Sequence, residues 1–153
     1  MIGDFLLGYD DARNNDQCRQ NSLEAESKGV ITKKIDRDEL RIEPKKYIDM
    51  VVDQVNELMQ ANPTAKLILN IDADSFNGIP SSAETNVAGI EPKWAFYLCS
   101  KAKDFVRSPK IVRIAELSYP ENDIQRQNIA TEFAAECLKN LIKNLCRRVD
   151  CTN

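Results

Sequence analysis

Two aspartates one residue apart, Asp72 and Asp74, close the apolar run Leu67-Ile68-Leu69-Asn70-Ile71. Side chains alternate across a strand, so if this run is a buried parallel strand both carboxylates leave its C-terminal end on one side. That end of a parallel sheet is where α/β proteins place ligands. Two carboxylates a few ångströms apart repel each other unless a cation or a proton lies between them. The chemistry first indicated is therefore a metal site. Glu116 falls near the end of the next apolar run, Lys110 to Leu117. Consecutive strands of a parallel sheet usually lie side by side, so all three acids are expected at one sheet edge. Hard carboxylate oxygens suit Mg2+ or Mn2+ better than softer metals. The spacing fits a second reading equally, in which exposed acids simply end strands for solubility.

The surrounding pattern alternates strand and helix. Phe5 to Tyr9 reads as a strand, followed by a polar loop from Asp10 to Asp16 and a helix from about Asn15 to Ser27 that Lys28-Gly29 ends. Val30-Ile31-Thr32 is a short β-branched run. Glu43-Pro44 opens the clearest helix, whose Tyr47, Ile48, Val51, Val52, Val55, Leu58 and Met59 recur at three and four residues and form one buried face. Asn62-Pro63 stops it, and Lys66 to Ile71 is the next strand. Asn77 to Ser82 is a loop by composition, directly after the aspartates. Glu91-Pro92 opens a helix with Trp94, Ala95, Leu98, Ala102 and Phe105 inward, which Ser108-Pro109 ends. After the Lys110 strand, a last helix from about Asp123 to Leu145 is expected to bury Ile129, Phe133, Cys137, Leu138, Leu141 and Leu145. These β-α repeats imply an α/β fold, a parallel sheet with helices on both faces, in a single domain over residues 1–153.

Composition bounds the function. A net charge of −3 gives no electrostatic reason to expect nucleic acid or an anionic membrane as partner. Arg147-Arg148 reads as a helix end rather than a basic patch. No apolar run approaches the ~20 residues that span a bilayer, and Met1 to Leu7 has neither the basic segment nor the cleavage site of a signal peptide. The five cysteines (Cys18, Cys99, Cys137, Cys146, Cys151) are odd in number and form no C-x-x-C pair. The expected setting is the reducing cytoplasm. The chain has no histidine, which excludes a Cys/His zinc site and every histidine-based catalytic triad.

Several segments together resemble the C-terminal half of the ureohydrolases, the arginase/agmatinase/formimidoylglutamase superfamily. They are the strand ending Ile71-Asp72-Ala73-Asp74, the loop Pro80-Ser81-Ser82-Ala83 leading to Gly89-Ile90-Glu91-Pro92, the turn Glu116-Leu117-Ser118-Tyr119-Pro120, and the alanine-rich helix around Ala130 and Ala134-Ala135. Leu7-Gly8-Tyr9-Asp10-Asp11 resembles the strand end before that family's substrate-contacting loop. The resemblance covers nearly all of this chain and about half of a typical member. It implies the C-terminal half of the three-layer arginase fold. It also implies that Asp72 bridges two Mn2+ ions, that Asp74 binds one of them, and that Glu116 contacts the cationic nitrogen-rich group of a guanidino or formimino substrate. Such a metal pair lowers the pKa of a shared water, which hydrolyses the C–N bond. Arg13, beside Asn14 in the first loop, is placed either to face a substrate carboxylate, which favours formimidoylglutamate over agmatine, or simply on the surface.

The departures from that family are specific. Four of its six metal ligands come from Gly-Gly-Asp-His and Asp-Ala-His-x-Asp segments, and neither is in this sequence. The proton-shuttling histidine is missing, and Asn77-Gly78 stands in a shorter segment where Asp-Pro usually follows the pair. No catalytic residue is identified in this chain, and two carboxylates do not hold a dinuclear Mn2+ site against water. The expected partners are a complementing N-terminal half or further copies of the chain. Two other readings stand beside this one. The first is a degenerate arginase-like scaffold serving as a binding or oligomerisation module. The second is a haloacid-dehalogenase-like phosphotransferase, in which the first aspartate is the nucleophile. That family places threonine or valine two residues past the second aspartate, where Phe76 stands here.

Overall fold

A computed structural model describes residues 3–9, 16–81 and 89–146. Arg13, Asn14, Asp10, Asp11, Ser82, Ala83, Arg147, Arg148 and Cys151 lie outside these, as do the side chains of Cys18 and Leu145. The chain divides into two compact units, Met1–Ala65 and Lys66–Asn153.

In the first unit β1 (Gly3–Tyr9) and β2 (Ile31–Asp36) pair in parallel, from Gly3 opposite Ile31 to Leu7 opposite Ile35. Parallel neighbours need a crossover, and α1 (Asp16–Ser27) supplies it. Gly29, at a φ of 76°, ends that turn with its N–H on the Glu26 carbonyl at 2.9 Å. β2 runs four residues beyond the expected Val30 to Thr32, because Lys33 and Lys34 lie half-buried along the pleat, their aliphatic stems suiting such a position. A short helix without a periodic signature, α2 (Arg37–Ile42), follows at once. Asp36 caps it by accepting the Asp38 N–H at 2.7 Å, and Asp38 and Glu39 favour its first turn. Leu40 is its single buried residue, too little to register as periodicity. α3 (Pro44–Ala61) starts on Pro44 and buries Ile48, Val51, Val52, Val55 and Met59. It ends where the Asn62 side chain donates to the Leu58 carbonyl at 2.8 Å.

The second unit pairs β3 (Ile68–Asp72) with β4 (Ile111–Ala115) in parallel, Ile68 opposite Ile111 and Asp72 opposite Ala115. Between them run α4 (Lys93–Ser100) and a 3-10 turn, Lys101–Asp104. The long α5 (Ile124–Cys146) is the last described element, its first turn capped where Asp123 Oδ1 accepts the Arg126 N–H at 3.0 Å. The architecture is thus α/β with parallel strand pairs and helices, the described strands hydrogen-bonding as two pairs. Burial along β3 and β4 grows toward their C-terminal ends. Ile68 and Ile111 are 61% and 56% exposed, whereas Ile71 and Ala115 are buried. The run considered as a buried parallel strand is thus buried chiefly at the end that carries the acids.

The α5 core face is Ala130, Phe133, Cys137 and Leu141. Leu138, expected inside, is 50% exposed, because it lies one residue round the helix from Cys137 and outside that row. Cys99 of α4 and Cys137 are fully buried free thiols. Cys99 hydrogen-bonds Cys137, and this contact together with burial holds its thiol far above the ordinary cysteine range. The same contact lowers the Cys137 thiol. It is the complete burial of both side chains that is expected to shield them from a water-soluble thiol reagent in the folded chain, with reaction in urea. Peptide mass mapping after labelling reads this directly, and labelling of Cys99 without denaturant would contradict it.

Candidate metal centre

β3 ends on Asp72, and a 3-10 turn, Ala73–Ser75, carries Asp74. The two acids are brought to one side by that turn, not by strand alternation as the spacing suggested. Glu116 is the first residue past β4 and lies one step beyond Ala115, the register partner of Asp72. One carboxylate oxygen from each of Asp72, Asp74 and Glu116 lies within 4.8 Å of the others. The structure thus gathers all three acids that the sequence singled out.

Their electrostatics are unfavourable without a counter-charge. Asp72 Oδ1 is buried and has no hydrogen-bond partner. Burial first, then the charges of Asp74 and Glu116, push the Asp72 carboxyl above its usual range, against a backbone hydrogen bond from Asp74 and the positive charge of Arg113 on β4. A buried acceptor left unmet costs free energy, and a divalent cation would satisfy it. Three carboxylates with an orphaned oxygen fit one hard cation. They do not supply six ligands for two.

The backbone around the acids is held from several directions. Glu116 adopts a φ of 57°, the left-handed region that a residue with a β-carbon enters at a cost of about 1–3 kcal/mol. Beyond it Leu117 bridges Ser81 in antiparallel fashion, and the Ser118 N–H donates to the Pro80 carbonyl at 3.1 Å. The segments that leave β3 and β4 are thereby tied to each other. Farther on, Asn77 N–H donates to Ile90 O and Ile90 N–H to Ser75 O, both at 2.9 Å. Gly89 permits this approach. A β-carbon there would lie 2.6 Å from Asn77 N, 2.7 Å from Phe76 C and 2.8 Å from Ser75 O, all of them backbone atoms that cannot step aside. Gly89→Ala is accordingly expected to destabilise by about 1–3 kcal/mol in urea denaturation, and an unchanged midpoint would show that the approach is not required. The sequence marks Gly89 only as part of the segment leading into the next helix and gives no sign of this role, since nothing periodic marks a bridge spanning from Ser75 to Ile90.

No protein-family model matches the chain, and no curated protein matches it in sequence. Solved structures match it in fold. The formimidoylglutamase of Bacillus subtilis subsp. subtilis str. 168 superposes with a TM-score of 0.67 at 15% identity, over 92% of this chain and 40% of that one. Helicobacter pylori arginase gives 0.58 at 16%, over 93% and 43%. Trypanosoma cruzi formiminoglutamase, solved oxidized with Mn2+ at pH 6.0, gives 0.56 at 15%, over 90% and 43%. The chain therefore shares the fold of these arginase and formimidoylglutamase structures over the part it covers, which is about two-fifths of the length of each.

Proposed function

We propose that this chain forms part of a ureohydrolase-type metallohydrolase site that residues outside it complete. Asp72 and Asp74 would hold Mn2+, and Glu116 would face the cationic end of a small guanidino or formimino substrate. When bound, the metal supplies a water of lowered pKa for C–N bond hydrolysis. The chain's own residues position it: the 3-10 turn sets Asp74 beside Asp72, and the strained backbone of Glu116 brings the third carboxylate to the same point. The observation that carries this reading is the buried, unpartnered Oδ1 of Asp72, an acid clustered with two further carboxylates. A reducing, cytoplasmic setting is part of this reading, on the odd number of cysteines and the lack of a C-x-x-C pair in the sequence. No described helix is long and apolar enough to cross a membrane.

The missing histidine and the missing upstream motifs define the test. Isothermal calorimetry with Mn2+ should show one weak site on the chain alone, with a Kd of about 0.1–1 mM, lost in Asp74→Asn. Hydrolysis of arginine, agmatine or formimidoylglutamate should be absent until a segment bearing the four remaining ligands is supplied. No Mn2+ binding with or without that segment would overturn the proposal in favour of a scaffold that has lost its chemistry.

A further inference from the structure

Six residues of α5 form a second row that lies exposed among the described residues. Ile124, Asn128, Thr131, Ala135, Leu138 and Ile142 follow one another at spacings of four, three, four, three and four, and every one is exposed. Ile124 is 73%, Leu138 50% and Ile142 52% exposed. The row lies beside, and does not coincide with, the buried row Ala130, Phe133, Cys137 and Leu141. Alternation of four and three is the 3.5-residue period of a helix that packs against another helix. The Thr131 hydroxyl is engaged within α5, donating to the Gln127 carbonyl at 2.9 Å, so no unmet donor interrupts the row from Thr131 to Ile142.

We propose that this row is a dimer seam on which α5 of a second copy lies antiparallel. Residue size favours that direction. Antiparallel pairing sets Ala135 against Leu138 of the second copy and Thr131 against Ile142 of the second copy, a small side chain facing a large one in each layer. Parallel pairing would set Leu138 on Leu138 and leave Ala135 on Ala135, with a gap between. Charge favours it too. Glu132 and Lys139 each follow a seam residue on the same flank. Antiparallel pairing brings Glu132 of one copy toward Lys139 of the other, twice per dimer, whereas parallel pairing sets them beside the neutral Gln127 and Ala134. Lys139 meanwhile reaches Glu136 at 2.9 Å within its own helix, which keeps its ammonium on that flank. The arrangement is isologous and closes at two copies.

The seam from Thr131 to Ile142 is short, roughly 18 Å of helix, so the dimer is a weak one with a dissociation constant on the order of 100 µM. Sedimentation velocity on the full chain across about 10 µM to 1 mM should show reversible monomer–dimer exchange. Leu138→Glu should abolish it. Lys139→Glu should weaken it several-fold, and the swap Glu132→Lys with Lys139→Glu should restore it. Both charged positions are exposed, so circular dichroism of these variants should match the parent and separate loss of association from loss of fold. A chain monomeric throughout this range would overturn the proposal, as would a dimer indifferent to Leu138→Glu. A swap that fails to restore association, or association only with a chain of different sequence, would overturn it equally.

Discussion

Phe133→Ala is expected to cost about 3–5 kcal/mol of stability, the largest loss from any single truncation in the second unit. Phe133 is 2% exposed on α5, and its ring meets Phe76 at 5.5 Å and Phe96 at 5.7 Å between centroids, both tilted. Phe96 belongs to α4, and Phe76 directly follows the turn that carries Asp74. One side chain therefore joins two helices to the backbone of the acidic cluster, and truncation leaves a cavity that three elements must share. Urea denaturation should show a lower midpoint with little change in slope. Phe133→Leu should recover a large part of the loss by refilling the volume. The contrasting substitution is Leu138→Ala, five residues on, which should cost less than about 1 kcal/mol at a dilution where the chain is monomeric. Equal losses at the two positions would mean that the core face of α5 has been wrongly assigned.

That contrast marks how far periodicity reaches. Phe133, Cys137 and Leu141 are legible in the sequence because they recur at four residues, and Leu138 is misplaced because an apolar residue one step from a core row carries no mark of which row it joins. Pro44 and Asn62 announce α3 correctly, since each acts through local backbone chemistry. α2 is illegible for the opposite reason: it stands on one cap and one buried leucine amid charges. At the candidate site the three acids can be read from residue type and from their place after apolar runs. The devices that gather them cannot. The 3-10 turn at Asp74, the left-handed Glu116 and the close backbone approach at Gly89 all depend on hydrogen bonds between segments far apart in the chain. Such bonds leave no spacing to read.

Asp72→Asn is expected to act in opposite directions on metal affinity and on stability. The substitution removes the acid whose buried Oδ1 has no hydrogen-bond partner, so the loss of Mn2+ affinity should exceed the ~10–100-fold that follows from losing a group that merely supports a ligand. Without metal the same change should stabilise the chain at neutral pH, because the folded state no longer holds three carboxylates within 4.8 Å of one another. The gain should be no more than about 1 kcal/mol, since water still reaches the site and screens it. The pH dependence follows from the direction of the Asp72 shift. Its carboxyl is raised above the ordinary 3.8, so the folded state binds the proton more tightly than the unfolded chain does. The resulting stabilisation is complete below 3.8 and is lost as pH rises through the elevated folded value. Thermal melts of the metal-free parent should therefore lose this increment across the weakly acidic range, and the asparagine variant should not. Added Mn2+ should raise the melting temperature of the parent alone, by mass action on its folded state. An asparagine variant less stable than the parent at pH 7 without metal would show that the Asp72 carboxylate is already satisfied within the protein, and the case for a cation at this sheet edge would fall with it.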